Sequence, residues 1–395
     1  MTAPAPPASG RWAMLGVILL ARLSLGFQFQ SVGALALPLS ARFDLSPAGL
    51  GLLFGLYMLP GIVLAIPIGM LSGRWGDRPL CAVGLLLMVG GGAVLALADD
   101  IALATSGRIA SGVGGVVLNI LMTKMAADWF EGGPVSTALS LVFAMFPTGI
   151  GAALASLGWL AASHGLDVAL WLPVLLAGFA ALVYLALYRD PPGASRHARL
   201  AARLDRREVA LASLAGCAWL AYNAAFATFL AFVPAFLIGR DAGPAVAGAA
   251  AGAALWAGAL FQPAGGIISD RAGSSGPAIR LGAAMVAGGL AAAVAGGGSI
   301  VATIAGLAIA GIGFGLPPSA IGRLVPIAVA PEKRGRAFGV FFTWSHVGLA
   351  ATPAIAGALV EATGTADAAM VFAAVLSAAM IAFHRLFRRR AGGRA

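Results

Sequence analysis

The stretch Gly69-Met70-Leu71-Ser72-Gly73-Arg74-Trp75-Gly76-Asp77-Arg78 ends one very apolar segment, and Gly266-Ile267-Ile268-Ser269-Asp270-Arg271-Ala272-Gly273 ends another. The offset between them, about 197 positions, sets Arg74 on Arg271 and Gly76 on Gly273, while Gly73 falls opposite Asp270. Each copy has a glycine-rich helix end, a hinge without a bulky side chain and an arginine in a very short polar connection. Such a stretch suits two packed helices turning back at a membrane surface, because glycine permits both the close approach and the tight turn. The chain reads as a duplicated membrane protein.

Composition agrees. Of the 395 residues, 60% are hydrophobic and only 10% charged, too little charge to clothe a soluble domain of this size. Apolar stretches lie near 12–39, 47–71, 80–98, 102–125, 136–161, 167–188, 208–237, 244–268, 278–298, 300–328, 335–360 and 367–387, each close to the ~20 residues that a membrane-spanning helix needs. This predicts an all-α fold of twelve transmembrane helices in two six-helix bundles, residues 1–188 and 208–395, the second ending in a basic tail, joined by a polar linker at 189–207. Arg22 interrupts the first stretch, which is too long for the apolar core of a signal peptide, so it is read as a retained span. Cys81 and Cys217, in different spans without CxxC spacing, predict neither a disulfide nor a metal site.

The net charge of +10 is arranged by side of the membrane rather than along a nucleic-acid-binding face. With the N-terminus inside, the inner connections hold Arg11, Arg74, Arg78, Lys124, Arg189, Arg196, Arg199, Arg203, Arg206, Arg207, Arg271, Arg280, Lys333, Arg334, Arg336, Arg385, Arg388, Arg389, Arg390 and Arg394, and the outer ones only Arg42 and Arg240. That asymmetry predicts both termini on the cytoplasmic side and places the Arg-rich linker and tail within reach of anionic lipid.

Further matches extend the repeat. Gly112-Val113-Gly114-Gly115 in the fourth span corresponds to Gly311-Ile312-Gly313-Phe314-Gly315 in the tenth, and Ser136-Thr137-Ala138-Leu139 opening the fifth to Gly335-Arg336-Ala337-Phe338 opening the eleventh. Because one copy holds six spans, the second starts in the same orientation, which relates the halves by an axis along the membrane normal.

These residues resemble the major facilitator superfamily. Its signature Gly-x-x-x-Asp-Arg-x-Gly-Arg/Lys is similar to Gly69 through Arg78 and again to Gly266 through Gly273, although Gly73 stands where the family has Asp and Asp77 is displaced along the turn. Arg108-Ile109-Ala110-Ser111-Gly112-Val113-Gly114 looks like the family's Arg-x-x-Gln-Gly-x-Gly, with serine for glutamine, and Pro147-Thr148-Gly149-Ile150-Gly151 is similar to its glycine-proline hinge. Asp128-Trp129-Phe130 and the face from Trp219 to Phe226 are similar to bacterial carriers of the cyanate and nitrate type. The resemblance implies a carrier in the bacterial inner membrane, without a cofactor, in which two bundles rock about a central site. It also implies that Gly69, Gly73, Arg74, Gly76, Asp77, Arg78, Gly266, Asp270, Arg271 and Gly273 form the gating hinges, with a weaker latch in the first half where Gly73 lacks the carboxylate, and that Arg108 faces the cavity and influences proton coupling.

Polar groups inside the spans point to the substrate. An ionisable group in hydrocarbon costs at least ~2.5–3.5 kcal/mol, so each needs a partner or a role. All fifteen acidic residues fall in connections or at span ends, whereas Arg22 lies roughly 15 Å into the first span at ~1.5 Å per residue. Without a carboxylate at its depth, Arg22 must be solvated by a water-filled cavity, by backbone and amide oxygens or by an anionic ligand. Arg323, in the last turns of the tenth span, is expected to snorkel to the surface. His346 is the one mid-membrane imidazole: it either packs and bonds within the bundle or exchanges a proton near neutral pH.

Gln28, Asn119, Trp219, Tyr222, Asn223, Gln262 and Trp344 complete a candidate substrate site with Arg22 and His346. Trp219, Tyr222, Asn223 and Phe226 share one helical face, while Gln28 and Gln30 lie on different faces. Met122, Met125 and Met145 are assigned to the core rather than to a soft-metal path, since no His or Cys joins them. The expected protein is a monomeric secondary transporter of a small anionic solute, with proton coupling open and His346 its candidate. A proton-driven drug or cation exporter is the alternative, and would need a buried carboxylate. A membrane sensor would need a signalling domain that the short loops do not supply, and no enzyme constellation is visible.

Overall fold

The computed structural model describes residues 8–45, 47–191, 203–296 and 299–392, so most of the linker, with Arg196 and Arg199, and the extreme tail with Arg394 lie outside the described residues. All regular elements among the described residues are helical, in the order α1 (Ala8–Ala34), α2 (Ala36–Phe43), α3 (Pro47–Gly55), α4 (Pro60–Trp75), α5 (Asp77–Leu97), α6 (Ile101–Trp129), α7 (Val135–His164), α8 (Leu166–Leu187), α9 (Arg206–Ile238), α10 (Pro244–Arg271), α11 (Gly276–Ala295), α12 (Ile300–Gly315), α13 (Pro317–Gly322), α14 (Leu324–Ala328), α15 (Arg334–Thr363) and α16 (Asp367–Arg390). Eleven segments among the described residues are long and apolar enough to cross a membrane, and α15, of 30 residues, stands where the eleventh span was expected. Large apolar side chains such as Val63, Leu182 and Leu260 are 68–73% exposed, the surface of a protein that lipid surrounds.

Three spans expected to be continuous are broken, each at proline. The first divides at Leu35, three residues before Pro38; the second unwinds over Leu56–Leu59 ahead of Pro60; the tenth divides at Leu316 and Arg323 around Pro317, Pro318 and Pro326. Proline has no N–H to return to the carbonyl four residues earlier, so the turn before it tightens or opens. At the second break the chain makes three-residue turns instead, Met58 N–H to Gly55 O at 2.9 Å and Gly61 N–H to Met58 O at 3.0 Å. Pro67, Pro147, Pro173, Pro234 and Pro263 lie inside continuous helices, so proline alone did not predict the breaks.

The chain forms two compact units: residues 1–131, 145–203 and 331–339 in the first, and 132–144, 204–330 and 340–395 in the second. In the first, α5 packs on α6 and α8, α1 on α8 and α6, and α4 on α6. In the second the repeat-equivalent pairs recur, α11 on α12 and α16, α9 on α16, and α10 on α12. The duplication seen in sequence is therefore a duplication of packing.

Small residues carry it. A Cβ at Gly91 would stand 2.5 Å from the Gly107 carbonyl oxygen, and one at Gly289 would stand 2.6 Å from that of Gly306, so α5–α6 and α11–α12 cross with backbones in contact at matched positions. Gly91→Leu is expected to lower stability by about 1–3 kcal/mol, the usual cost of overpacking, read as a fall in the detergent-solubilised protein's Tm. An unchanged Tm would show that these helices can part at no cost.

Arg42 and Arg240, expected on the outer side, are likewise paired at equivalent positions, Arg42 with Asp167 at 2.8 Å and Arg240 with Asp367 at 2.8 Å.

Candidate substrate and gating sites

In the first unit, Arg22 sits on α1 with 3% of its surface exposed, its guanidinium 5.8 Å from the centre of the Phe146 ring. Its Nε and Nη1 are sealed from solvent and have no hydrogen-bond partner. Arg108, on α6 and 1% exposed, is the opposite case. It donates from Nη1 to Gln28 O at 3.0 Å, from Nη2 to Phe29 O at 2.6 Å and Phe54 O at 3.4 Å, and from Nε to Leu53 O at 3.3 Å. Leu53 and Phe54 close α3, so the break after that helix supplies the carbonyls that need a donor. Arg108 thus ties α1 to the end of α3; its donors are spent on backbone.

Gln28 is also a strut. Its Nε2 donates to Met88 O on α5 at 2.8 Å, which fixes the amide against α5, while its Oε1 is buried without a hydrogen-bond partner. Asn119 is half-buried on α6, and its carbonyl accepts from the Thr123 hydroxyl at 2.7 Å.

In the second unit the α9 face forms an aromatic ladder. Trp219 stacks on Tyr222 at 5.1 Å between ring centres and Tyr222 on Phe226 at 6.1 Å, with Phe143, Phe314 and Phe341 around them. Trp219 and Tyr222 are buried in this stack of rings. Asn223 spends one amide hydrogen on Trp219 O at 2.7 Å. Gln262 on α10 is 5% exposed with an unpartnered Oε1, and Trp344 on α15 is 37% exposed. The His346 Nδ1 lies 2.7 Å from Phe342 O, an acceptor that assigns the proton to Nδ1 and leaves Nε2 as the nitrogen that can take another.

The repeated motif builds two matched corners. Gly76 has φ +85° and Gly273 φ +61°, backbone that other residues rarely adopt. Arg74, Arg78 and Arg271 are exposed. A side chain at Gly69 would collide with the Gly335 carbonyl, and one at Gly266 would come within 2.7 Å of that of Ser136. Beside Gly266, Asp270 accepts from Ser136 N–H at 3.1 Å, Thr137 N–H at 2.7 Å and the Thr137 hydroxyl at 2.8 Å, capping the segment that opens α7. In the first unit a small cavity lies at Gly73, lined also by Gly69, Ser72, Lys124, Gly335 and Arg336.

That corner is not deficient in charge, contrary to the expectation of a weaker latch at Gly73. Asp77, 5% exposed at the start of α5, bonds Ser72 and Lys124. Lys124 continues to Asp128 at 2.8 Å, Asp128 to Arg334 at 2.7 Å, and Arg334 to Glu131 at 3.0 Å. The carboxylate missing at Gly73 is made up from α5 and α6, and five charges alternate in sign along a chain that runs from buried Asp77 and Lys124 out to exposed Glu131. Sequence reasoning missed it because the partners are far apart in the chain; the signal available was the Lys124, Asp128, Glu131 spacing on one helical face. Arg323 reaches the end of α10, where it donates to Ser269 O at 3.0 Å and to Gly273 O, beyond the last helical residue, at 3.3 Å, and lies 3.8 Å from Asp270.

The sequence profile of the Major Facilitator Superfamily matches residues 18–239 and, a second time, 214–394. The chain is a major facilitator superfamily transporter. No curated protein matches the sequence. In fold it is similar to the proton:xylose symporter XylE bound to 6-bromo-6-deoxy-D-glucose, at a TM-score of 0.79 and 13% identity, covering 96% of each chain. It is also similar to the human organic anion transporter MFSD10, at 0.77 and 17% identity over 95% of this chain and 99% of that one. A third match is the transporter FucP in the outward conformation, at 0.75 and 15% identity over 94% and 98%. As a multi-pass membrane transporter, the protein uses Asp128-Trp129-Phe130 structurally: Asp128 joins the ion chain, Trp129 Nε1 donates to the Tyr188 hydroxyl at 3.2 Å, and Phe130 packs edge-on to Trp12 at 4.8 Å. Met125 lies in the core, its sulfur 3.5 Å from that of Cys81.

Proposed function

We propose that this transporter moves a small anionic solute, with Arg22 as its electrostatic anchor. The carrying observation is the Arg22 guanidinium, buried, with two of its three nitrogens unpartnered. An isolated buried charge is retained against its insertion cost where a ligand of opposite charge compensates it. Arg108, equally buried, meets backbone acceptors instead, which leaves Arg22 as the cation of the two with nitrogens to spare. Asn119, Trp219, Tyr222, Asn223, Gln262 and Trp344 are the candidates for shaping the substrate. The description of MFSD10 as an organic anion transporter favours the same substrate class. Proton coupling, named for XylE, is assigned to His346, whose Nε2 is the protonatable nitrogen. Alternating access is the mode of movement that family membership implies.

Purified protein in proteoliposomes is expected to take up radiolabelled small carboxylates or inorganic oxyanions saturably, and faster with an inward proton gradient. Saturable movement of cationic dyes with no anion flux would overturn the reading in favour of a drug exporter. Anion flux indifferent to the proton gradient would remove the role of His346 alone.

A further inference from the structure

Tyr57 stands out on the first unit, and it enters none of the roles above. It lies in the unwound turn Leu56–Leu59 between α3 and α4, yet its side chain is 2% exposed and its hydroxyl is buried without a hydrogen-bond partner. Irregular backbone within a span is tolerated where it lines a place that a ligand or water reaches. A buried phenol ordinarily finds an acceptor, so an unpartnered one is a bond held open.

The surroundings seat this ring closely. The Arg108 guanidinium lies 4.5 Å from its centre on one face. On α6, a Cβ at Gly112 would collide with the Tyr57 carbonyl, and one at Gly115 would stand 2.7 Å from ring atom Cε1 and 2.9 Å from the hydroxyl oxygen. Arg108, Gly112 and Gly115 therefore fit together around Tyr57: the cation holds the ring while the glycines make room for it. The same wall reaches Arg22. Tyr57 meets Phe29 edge-on at 5.6 Å, Phe29 meets Phe146 at 5.5 Å, and Arg22 lies over Phe146.

We propose that Tyr57 is the specificity-determining partner of Arg22, its hydroxyl donating a hydrogen bond to a second oxygen of the anion that the guanidinium holds. The site then selects a small oxyanion, a carboxylate or an inorganic oxyanion with oxygens to spare for two donors, over a halide. Either donor edge of the guanidinium includes one of its unpartnered nitrogens, so an oxyanion satisfies Arg22 and Tyr57 together, whereas a halide offers a single centre. Arg108 is a positioning residue here, acting through the ring it holds. This rests on the anion reading of Arg22.

Isothermal titration calorimetry on the purified full-length protein tests it, with acetate, nitrate and chloride as probes on wild type, Tyr57→Phe, Gly115→Ala and Arg22→Gln. Tyr57→Phe is expected to weaken the preferred oxyanion about tenfold, the loss of one hydrogen bond to a charged group, and to leave chloride unchanged. Gly115→Ala, which displaces the ring and keeps the hydroxyl, is expected to shift binding the same way and stands in if Tyr57→Phe does not fold. Oxyanion binding at wild-type strength in both tyrosine-site variants, with loss in Arg22→Gln, would overturn the role of Tyr57 and leave the anion reading standing. Binding unaffected by Arg22→Gln, or absent from wild type, would overturn the anion reading itself and this inference with it.

Discussion

Replacing Arg22 with Gln is expected to abolish anion uptake into proteoliposomes and to raise, not lower, the Tm of the ligand-free protein. The two effects have one cause. The guanidinium is 3% exposed with Nε and Nη1 unpartnered by protein groups, so without a bound anion its charge is a cost to folding on the order of 2.5–3.5 kcal/mol or more; glutamine removes the charge and keeps most of the length. With ligand present the same charge is what binds. Losing it forfeits about 2–5 kcal/mol, a factor of roughly thirty to several thousand in affinity. A structural arginine bonded to carbonyls behaves oppositely, and Arg108→Gln supplies that contrast, because it strands acceptors on α1 and α3 and should lower the Tm. Uptake by Arg22→Gln at the wild-type rate, or a fall in its Tm like that of Arg108→Gln, would sink the assignment.

Lys124→Met is expected to be the most destabilising single change at the motif corner, costing about 3–5 kcal/mol. Lys124 and Asp77 are 5% and 6% exposed, so removing the ammonium leaves Asp77 with only Ser72 and reduces the compensation at Asp128. Asp77→Asn on the Lys124→Met background should recover part of the loss, since an amide is far cheaper to bury alone than a carboxylate. The measurement is Tm and monodisperse yield for the four members of the cycle, whose coupling energy isolates the pair. Additive losses, with no recovery in the double variant, would mean that the two charges act independently.

Much of the fold was legible in the chain because the membrane imposes simple rules. Spans must be about twenty apolar residues with their backbone bonds satisfied inside the helix, and duplication leaves matched motifs, so the Gly69–Arg78 and Gly266–Gly273 segments located equivalent corners before any coordinates were known. The positive φ of Gly76 and Gly273 is the geometry that those glycines anticipated. The place of Arg22 within the first helix was also readable, since it follows from counting residues along the chain.

What the chain alone could not decide is who meets whom. Arg22 and Arg108 are both arginines within spans, and it takes the tertiary structure, which turns the Gln28 and Phe29 carbonyls of α1 and the Leu53 and Phe54 carbonyls of α3 toward Arg108, to separate the satisfied one from the unsatisfied one. Gln28, a ligand candidate in the sequence, braces Met88 through its Nε2 while its Oε1 stays unpartnered, and Tyr57, which no sequence pattern singled out, is the unpartnered donor on the wall shared with Arg22. Gly73 read as a lost charge, and the ion chain from Asp77 to Glu131 replaced it. Helix count and repeat are one-dimensional properties, set by length and hydropathy along the chain. Hydrogen-bond pairing joins residues tens to hundreds of positions apart, depends on ångström distances and on where prolines actually open the helix, and so belongs to the tertiary structure.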